Sequence, residues 1–352
     1  MTTAMQPTVA WFKDVDIRAV ASVGGKGASL GELRRAGITI PDGFVLTTAA
    51  FRDFIGELRQ QLDTESRIAA LKNSDTTTLN DCCAGIREAV VQQPCSAGLQ
   101  QAICGAYQEL SDGGKHAVAV RSSATSEDSA EASFAGLQDT YLWVRDEQAM
   151  LEAVKKCWAS LYNAESVSYR LRLGVVESQL AMAVVIQRMV NSRCSGVMFT
   201  RSPTTGDRSV ITLEASWGLG SSIVSGEVTP DRFVINKITG EITRRDIADK
   251  QIAHVPAETG GVLEQPVAGH LRQQQCVSDA EIHALATIAR DVERHYGKPQ
   301  DIEWALDQDG NVLLLQSRPE TVWAAKDAAP VAKPAARPFD HIFKVMGGQR
   351  KA

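Results

Sequence analysis

The stretch DIEWALDQDGNVLLLQSR, residues 301–318, reads as two strands around a tight turn. Asp309-Gly310 is the dipeptide that a two-residue type I′ turn favours, because both central residues need positive φ. With those two at the centre, Glu303 lies opposite Gln316 and Asp301 opposite Arg318. Side chains alternate along a strand, so these four share one face, while Ile302, Trp304, Leu313 and Leu315 share the other. The apolar face belongs to a core. The polar face then holds a carboxylate and an amide oxygen side by side, with an arginine two residues on. Two oxygen ligands on neighbouring strands suit Mg2+ that also holds phosphates and keeps some water. Arg318 suits a phosphate or the charge of a phosphoryl-transfer transition state. A cross-strand salt bridge Asp301–Arg318 beside an incidental Glu303–Gln316 pair accounts for the same residues without a ligand.

Working outward from that hairpin, residues 278–296 predict a helix, with Ser278 as cap and Glu281 at the capping-box position. Arg232–Ile235 and Glu241–Ile247 predict a second hairpin. Ile211–Ala215, Ser195–Thr200, Met182–Val190, Gln138–Val144 and His116–Ser122 read as strands, and residues 146–173 and 48–110 as helical, with Thr47 or Thr48 at the start of the latter. Gly24, Gly25 and Gly27 precede a helical pattern carrying Leu30 and Leu33, which stops at Gly37. Residues 1–20 read as a lead-in to a strand. Strands and helices mixed with antiparallel hairpins predict an α+β fold, not a doubly wound parallel sheet.

Three further segments can carry chemistry. In Gly24-Gly25-Lys26-Gly27 the backbone can approach a phosphate, the helix that follows favours an anion, and Lys26 adds a full charge. Neither GxxxxGK[ST] nor GxGxxG is present, and a tight turn before a helix explains the glycines equally. Arg121 ends an apolar strand and precedes hydroxyls at Ser122, Ser123, Thr125 and Ser126, a pattern suited to triphosphate oxygens or to a plain solvated loop. Ser133–Thr140 has one glycine, Gly136, amid polar groups and can serve as a lid over phosphates or equally be any loop. Gln187-Arg188-Met189-Val190 leaves an apolar strand for a link, where backbone groups can receive an adenine edge and Met189 or Val190 can pack on the ring. A core strand end is the alternative.

The 352 residues suffice for one large domain or for two lobes with a real core. Hydrophobic residues make up 44% and charged residues 22%, as in an ordinary globular protein. A net charge of -5 gives no general attraction for nucleic acid. No run of about 20 apolar residues occurs, so no membrane span is expected, and the start MTTAMQPTVAWFKDVD lacks the pattern of a signal peptide. The seven cysteines include no CxxC and suggest reduced thiols in a cytoplasm.

Taken in order, GGKGASLGEL, PDGFVLTTAAF, AVRSSATSEDSAEASFAGLQDTYL, QRMV with SGVMFTRSP, GLGSSIVSGEVTPDRFVI, and DIEWALD with LLLQSRPETVW resemble one family. It is the N-terminal nucleotide-binding region of phosphoenolpyruvate synthase, shared with pyruvate phosphate dikinase and rifampicin phosphotransferase. The resemblance covers roughly residues 10–323. It implies an ATP-grasp-like two-lobed nucleotide-binding fold, with lobes at 10–190 and 191–323, and ATP and Mg2+ as ligands. By the same resemblance Lys26 and Arg121 bind ATP phosphates, and Gly136, Gln138 and Thr140 lie in the phosphate-covering loop. Gln187, Met189 and Val190 face adenine; Asp301 and Arg318 complete the phosphate set, and Glu303 and Gln316 hold the metal. Lys26, Arg121 and Arg318 are the catalytic candidates.

The family passes a pyrophosphoryl group from ATP to a histidine, releasing AMP and then phosphate. That histidine follows the ATP module in a glycine-rich motif, and none of the histidines at 116, 254, 270, 283, 295 and 341 has such a context. The expectation is therefore a subunit that needs a histidine-bearing, substrate-binding partner in trans. Residues 324–352 read as an Ala/Pro/Lys linker and a tail whose Phe339, Ile342, Phe343 and Met346 have helix-like spacing for docking or belong to a frayed end. Among split relatives the arrangement resembles the smaller, ATP-binding subunit of phenylphosphate synthase, which implies phenol as final acceptor. The alternatives are an ATP-binding piece of a phosphoenolpyruvate synthase or rifampicin phosphotransferase, or a nucleotide-sensing regulatory subunit.

Overall fold

The computed structural model describes residues 7–125, 139–175, 177 and 180–323. In the first lobe β1 (Val9–Trp11), β2 (Gly43–Leu46), β3 (Val118–Ala124), β4 (Thr140–Val144) and β5 (Met182–Arg188) form a five-stranded antiparallel sheet ordered β1-β2-β5-β3-β4. Its helices are α1 (Val20–Arg35), α2 (Thr48–Leu62), α3 (Thr64–Ala70), α4 (Thr76–Gln92), α5 (Ala97–Ser111), α6 (Glu147–Ala159) and α7 (Ala164–Leu173). The second lobe adds β6 (Ser192–Phe199), β7 (Val210–Trp217), the short α8 (Ser221–Val224), β8 (Asp231–Asn236) and β9 (Ile242–Asp246). It continues with the separate hairpin β10 (Ile252–Pro256) and β11 (Val262–Pro266), then α9 (Asp279–Tyr296), β12 (Gln300–Asp307) and β13 (Val312–Pro319). Six of these strands make one antiparallel sheet, β13-β12-β6-β7-β8-β9. The expected α+β, two-lobed architecture is the one observed.

The first sheet is buried on both faces. Phe44, Leu46, Val118, Val120, Val184 and Ile186 pack into a core with Phe51 and Trp158 of the outer helices. Val45, Ala183 and Val185 join a second core that includes Leu30 and Leu33 of α1 and runs on into Met198, Phe233, Ile302, Trp304 and Leu314 of the other sheet and Leu285 of α9. Helix α1 is thus the wedge common to both sheets, and the Ser29 hydroxyl at its middle donates to the Ser317 carbonyl at 2.6 Å. The helix ends as expected at Gly37, whose φ of 78° turns the chain so that the Ile38 N–H reaches back to the Leu33 carbonyl. Helix α9 starts at the expected capping box of Ser278 and Glu281, an arrangement that contributes about 1 kcal/mol.

Several expectations need correction. The turn between β12 and β13 is not a two-residue type I′ turn. Asp307 pairs with Asn311, and its carboxylate accepts from the N–H groups of Asp309 and Asn311, so three residues span the loop and Gly310 alone among them takes positive φ. The register is therefore offset near the turn, with Trp304 opposite Leu314 and Ala305 opposite Leu313. A bulge at Leu315 restores it, and Glu303 faces Gln316 and Asp301 faces Arg318 as expected. In consequence Leu314, not Leu313 or Leu315, is the fully buried leucine. The helical stretch 48–110 is four helices, α2 to α5, and 146–173 is split into α6 and α7. Thr47 stands at the start of α2 but its hydroxyl donates to the Pro7 carbonyl and caps nothing. Strands β2, β10 and β11 were not foreseen: β2 has four residues buried on both faces, and β11 is mostly exposed, so neither shows apolar alternation.

Candidate functional site

Residues of both lobes line a cleft of about 320 Å³ between the sheets. From the first sheet come Arg121 of β3, Thr140 and Leu142 of β4, and Gln187 of β5, followed by Met189 and Val190. From the second come Val197 of β6, the hairpin residues Glu303 and Leu315, and Leu219, Ser221 and Val224 around α8. Alternation places these side chains. In β3 and β5 the residues 118, 120, 184 and 186 go to the outer helices, so 119, 121 and 187 are left for the opposite face, part covered by α1 and part open to the cleft.

The lobes meet through charge. Arg121 Nη2 donates to Glu303 Oε2 at 2.9 Å, and Nη1 reaches the Leu315 carbonyl at 3.4 Å, the carbonyl of the bulge residue. Arg318 Nε lies 3.4 Å from Asp301 Oδ2. Burial pushes the Asp301 carboxyl above its ordinary range; Arg318 opposes this and the charge of Glu320 adds to it. Six buried polar atoms on these strands have no hydrogen-bond partner among the described residues: Arg121 Nε, Gln187 Nε2, Arg188 Nε, Asp301 Oδ1, Trp304 Nε1 and Gln316 Oε1. Buried polar groups are normally paired, so donors and acceptors unpaired on facing strands suit a polar ligand. Gln316 stands opposite Glu303 in the register. A carboxylate beside an unpaired amide oxygen fits an oxygen-seeking divalent ion such as Mg2+.

The structure thus brings Arg121, Thr140, Gln187, Met189, Val190 and Glu303 around one cleft, with Gln316, Asp301 and Arg318 beside Glu303 on the hairpin. Lys26 does not line it: its ammonium donates to the Ser122 carbonyl at 3.0 Å, one residue beyond Arg121. Gly136 and Gln138 lie outside the described residues, as does Ser126. The first two hydroxyls after Arg121 are taken up by the fold. Ser122 and Ser123 are fully buried; Ser123 donates to the Val23 carbonyl and accepts from Gly27 N–H, and Ser122 donates to the Asp139 carbonyl. That explains Gly24, where α1 is kinked at φ 69°: a Cβ there would collide with the Ser123 carbonyl. In the Gln187–Val190 link, the Arg188 and Met189 N–H groups already donate to the Asp42 and Ala117 carbonyls, so neither is free for a base edge. The unpaired Gln187 amide is the polar group offered instead.

Sequence reasoning missed the wall around α8. Ser195 and Ser192 both donate to the Gly218 carbonyl, at 2.6 and 3.0 Å, and so fix the loop that presents Leu219 and Ser221 to the cleft. The glycine-rich run was visible, but these contacts join residues far apart in the chain.

A probable phosphoenolpyruvate synthase of Methanothermobacter thermautotrophicus is 41% identical over 316 residues, which is 89% of this chain and 46% of that protein. The phosphoenolpyruvate synthase of Aeropyrum pernix is 40% identical over 363 residues, 93% of this chain and 44% of its own length. The rifampicin phosphotransferase of a Streptomyces species is 42% identical over 311 residues, covering 88% and 35%. The chain spans less than half the length of each of these relatives. The family described as "Pyruvate phosphate dikinase, AMP/ATP-binding domain" matches residues 20–337. This chain belongs to the pyruvate phosphate dikinase AMP/ATP-binding domain family.

Proposed function

We propose that the chain is the ATP-binding subunit of a split dikinase-type phosphotransferase. It takes Mg-ATP into the cleft between its lobes and delivers the β-phosphoryl, as pyrophosphoryl, to a histidine on a partner subunit. The imidazole nitrogen bonds to the β-phosphorus, the bond from that phosphorus to the α,β-bridging oxygen breaks, and AMP leaves. Loss of phosphate to water then leaves phosphohistidine, which serves a small acceptor bound by the partner. Arg121 and Arg318 supply positive charge to the phosphates, with Asp301 orienting Arg318, and Lys26 adds its charge from behind the cleft wall, at the Ser122 carbonyl. Thr140 faces the phosphates; the Gln187 amide, Met189 and Val190 receive the base. Glu303 and Gln316 would hold Mg2+, which supplies charge neutralisation on the phosphate oxygens.

The observation that carries the reading is the convergence of Arg121 and Glu303, 182 residues apart in the chain, at one cleft. No described histidine lines that cleft, which supports an acceptor brought from outside it. The seven free cysteines suit a reducing cytoplasm. Phenol, giving phenylphosphate, is the acceptor we infer. The names of the relatives favour a second reading, in which the module serves a phosphoenolpyruvate synthase or a rifampicin phosphotransferase. The test is AMP formation from β-labelled ATP by the purified chain, alone and with its native histidine-bearing partner. We expect Mg-ATP binding by the chain alone, label on the partner's histidine, and AMP only with the partner present. ATP binding without any label transfer would point to a nucleotide sensor. Label passing onward to pyruvate or rifampicin and not to phenol would select the second reading.

A further inference from the structure

A second cavity, of about 530 Å³, adjoins the nucleotide cleft, and Thr140, Leu142 and Ser221 line both. It contains a side-chain group to which no part of the proposed phosphoryl transfer assigns a role. His254 of β10 and Glu264 of β11 are directly opposed in the hairpin register, which sets their Cβ atoms about 4.5–5.5 Å apart. Glu227, on the chain leaving α8, reaches the same point, and its carboxylate lies 2.8 Å from His254 Nε2. One ligand atom from each of the three lies within 4.8 Å of the others. We propose that Glu227, His254 and Glu264 form a site for a borderline divalent ion of the Mn2+, Co2+ or Zn2+ class.

Three features outside the ligand set favour a metal here. The other ring nitrogen, Nδ1, is 2.7 Å from the Ser221 hydroxyl. Donation from Nδ1 to that oxygen fixes the ring and leaves the Nε2 lone pair for a metal, the usual second contact of a ligating histidine. The backbone under His254 is held as well. Its carbonyl accepts from Leu219 N–H at 2.8 Å, and Gly218 approaches it so closely that a Cβ would collide. The cavity itself gives an entry path and room for water on the remaining coordination positions. One imidazole with two carboxylates prefers first-row ions to Mg2+ or Ca2+, which take oxygen ligands throughout. Because Ser221 also lines the nucleotide cleft, an ion at this site braces the wall around α8.

The test is titration of the full chain with Co2+ in the absence of nucleotide, read by visible d–d absorption and by equilibrium dialysis, with Zn2+ as competitor. We expect one Co2+ per chain, displaced by Zn2+. His254→Gln and Glu264→Gln each abolish the bands, and Ser221→Ala weakens binding about 10–100-fold. Glu303→Gln, in the nucleotide cleft, leaves them unchanged. His254→Gln also alters the contact to α8, so the decision rests on Glu264→Gln, which removes an exposed ligand without touching Ser221. Absence of stoichiometric binding, bands that survive Glu264→Gln, or bands lost with Glu303→Gln would each overturn the site.

Discussion

The two walls of the nucleotide cleft are built on different terms. Arg121 and Gln187 stand on β3 and β5, interior strands paired on both sides and packed by a core on each face. On the other wall Glu303 and Asp301 stand on β12, also paired on both sides, whereas Gln316 and Arg318 stand on β13, which is the edge of its sheet and carries a bulge. A doubly packed interior strand holds its side chains where the cores dictate, whereas an edge strand with a bulge can re-aim them. The first wall offers positive charge and an amide; the second carries both carboxylates. Among the described residues the ion pair Arg121–Glu303 joins one wall to the other. In the reading proposed above, Mg-ATP replaces that contact: phosphate takes the arginine and the metal takes the carboxylate.

The largest expected effect comes from breaking the first wall. Arg121→Ala should lower partner-dependent AMP formation by about 10²–10³-fold, as loss of one preorganised charge donor does. Glu303→Gln should act differently. It raises the Mg2+ needed for half-maximal rate by about 10–100-fold, yet it releases Arg121 and so tightens binding of metal-free ATP. Calorimetric titration with and without a chelator reads both. If Glu303→Gln weakens metal-free ATP as well, the two walls are not exchanging one contact for another.

Next in size is a contrast within the hairpin itself. Leu314 is fully buried and Leu315, the bulge residue, lines the cleft. Leu314→Ala should cost about 2–3 kcal/mol, toward the low end for a core leucine because an edge strand can settle into the space. Leu315→Ala should cost under about 1 kcal/mol and show instead as weaker nucleotide binding. Denaturant unfolding and calorimetry separate them, and equal losses of stability would place both leucines in the core.

That contrast also marks how far the sequence could be read. Glu303 opposite Gln316 and Asp301 opposite Arg318 were legible because a hairpin's register is local. Leu313 and Leu315 were assigned to the core because an Asx turn at Asp307 and its compensating bulge leave no mark on simple alternation. Arg121 was visible as a candidate, but its contact with Glu303 depends on how two sheets pack around α1. Ser122 and Ser123 looked like phosphate ligands because a hydroxyl that holds a kinked helix onto a strand has the same residue type as one that holds an anion. The hairpin of β10 and β11, with its Pro and paired glycines, offered no periodicity at all, and His254 stayed hidden with it.

The smallest expected effect tests whether the second wall is the less settled of the two. Burial raises the Asp301 carboxyl above the ordinary aspartate value of 3.8. A carboxyl raised in the folded state favours folding when protonated. Its contribution is fully present below 3.8 and is lost as pH rises through the folded value. At neutral pH the ionised group therefore works against the fold, even with Arg318 beside it, because that arginine is half exposed and its pairing is worth little. Asp301→Asn keeps the shape and removes the charge, so its melting temperature should exceed that of the native chain at neutral pH and the difference should vanish on acidification below the ordinary aspartate value. Thermal unfolding across that range measures it. A lower melting temperature at neutral pH would mean that the Arg318 pair outweighs burial, and the Asp301 carboxylate would then be satisfied by the hairpin itself without a ligand.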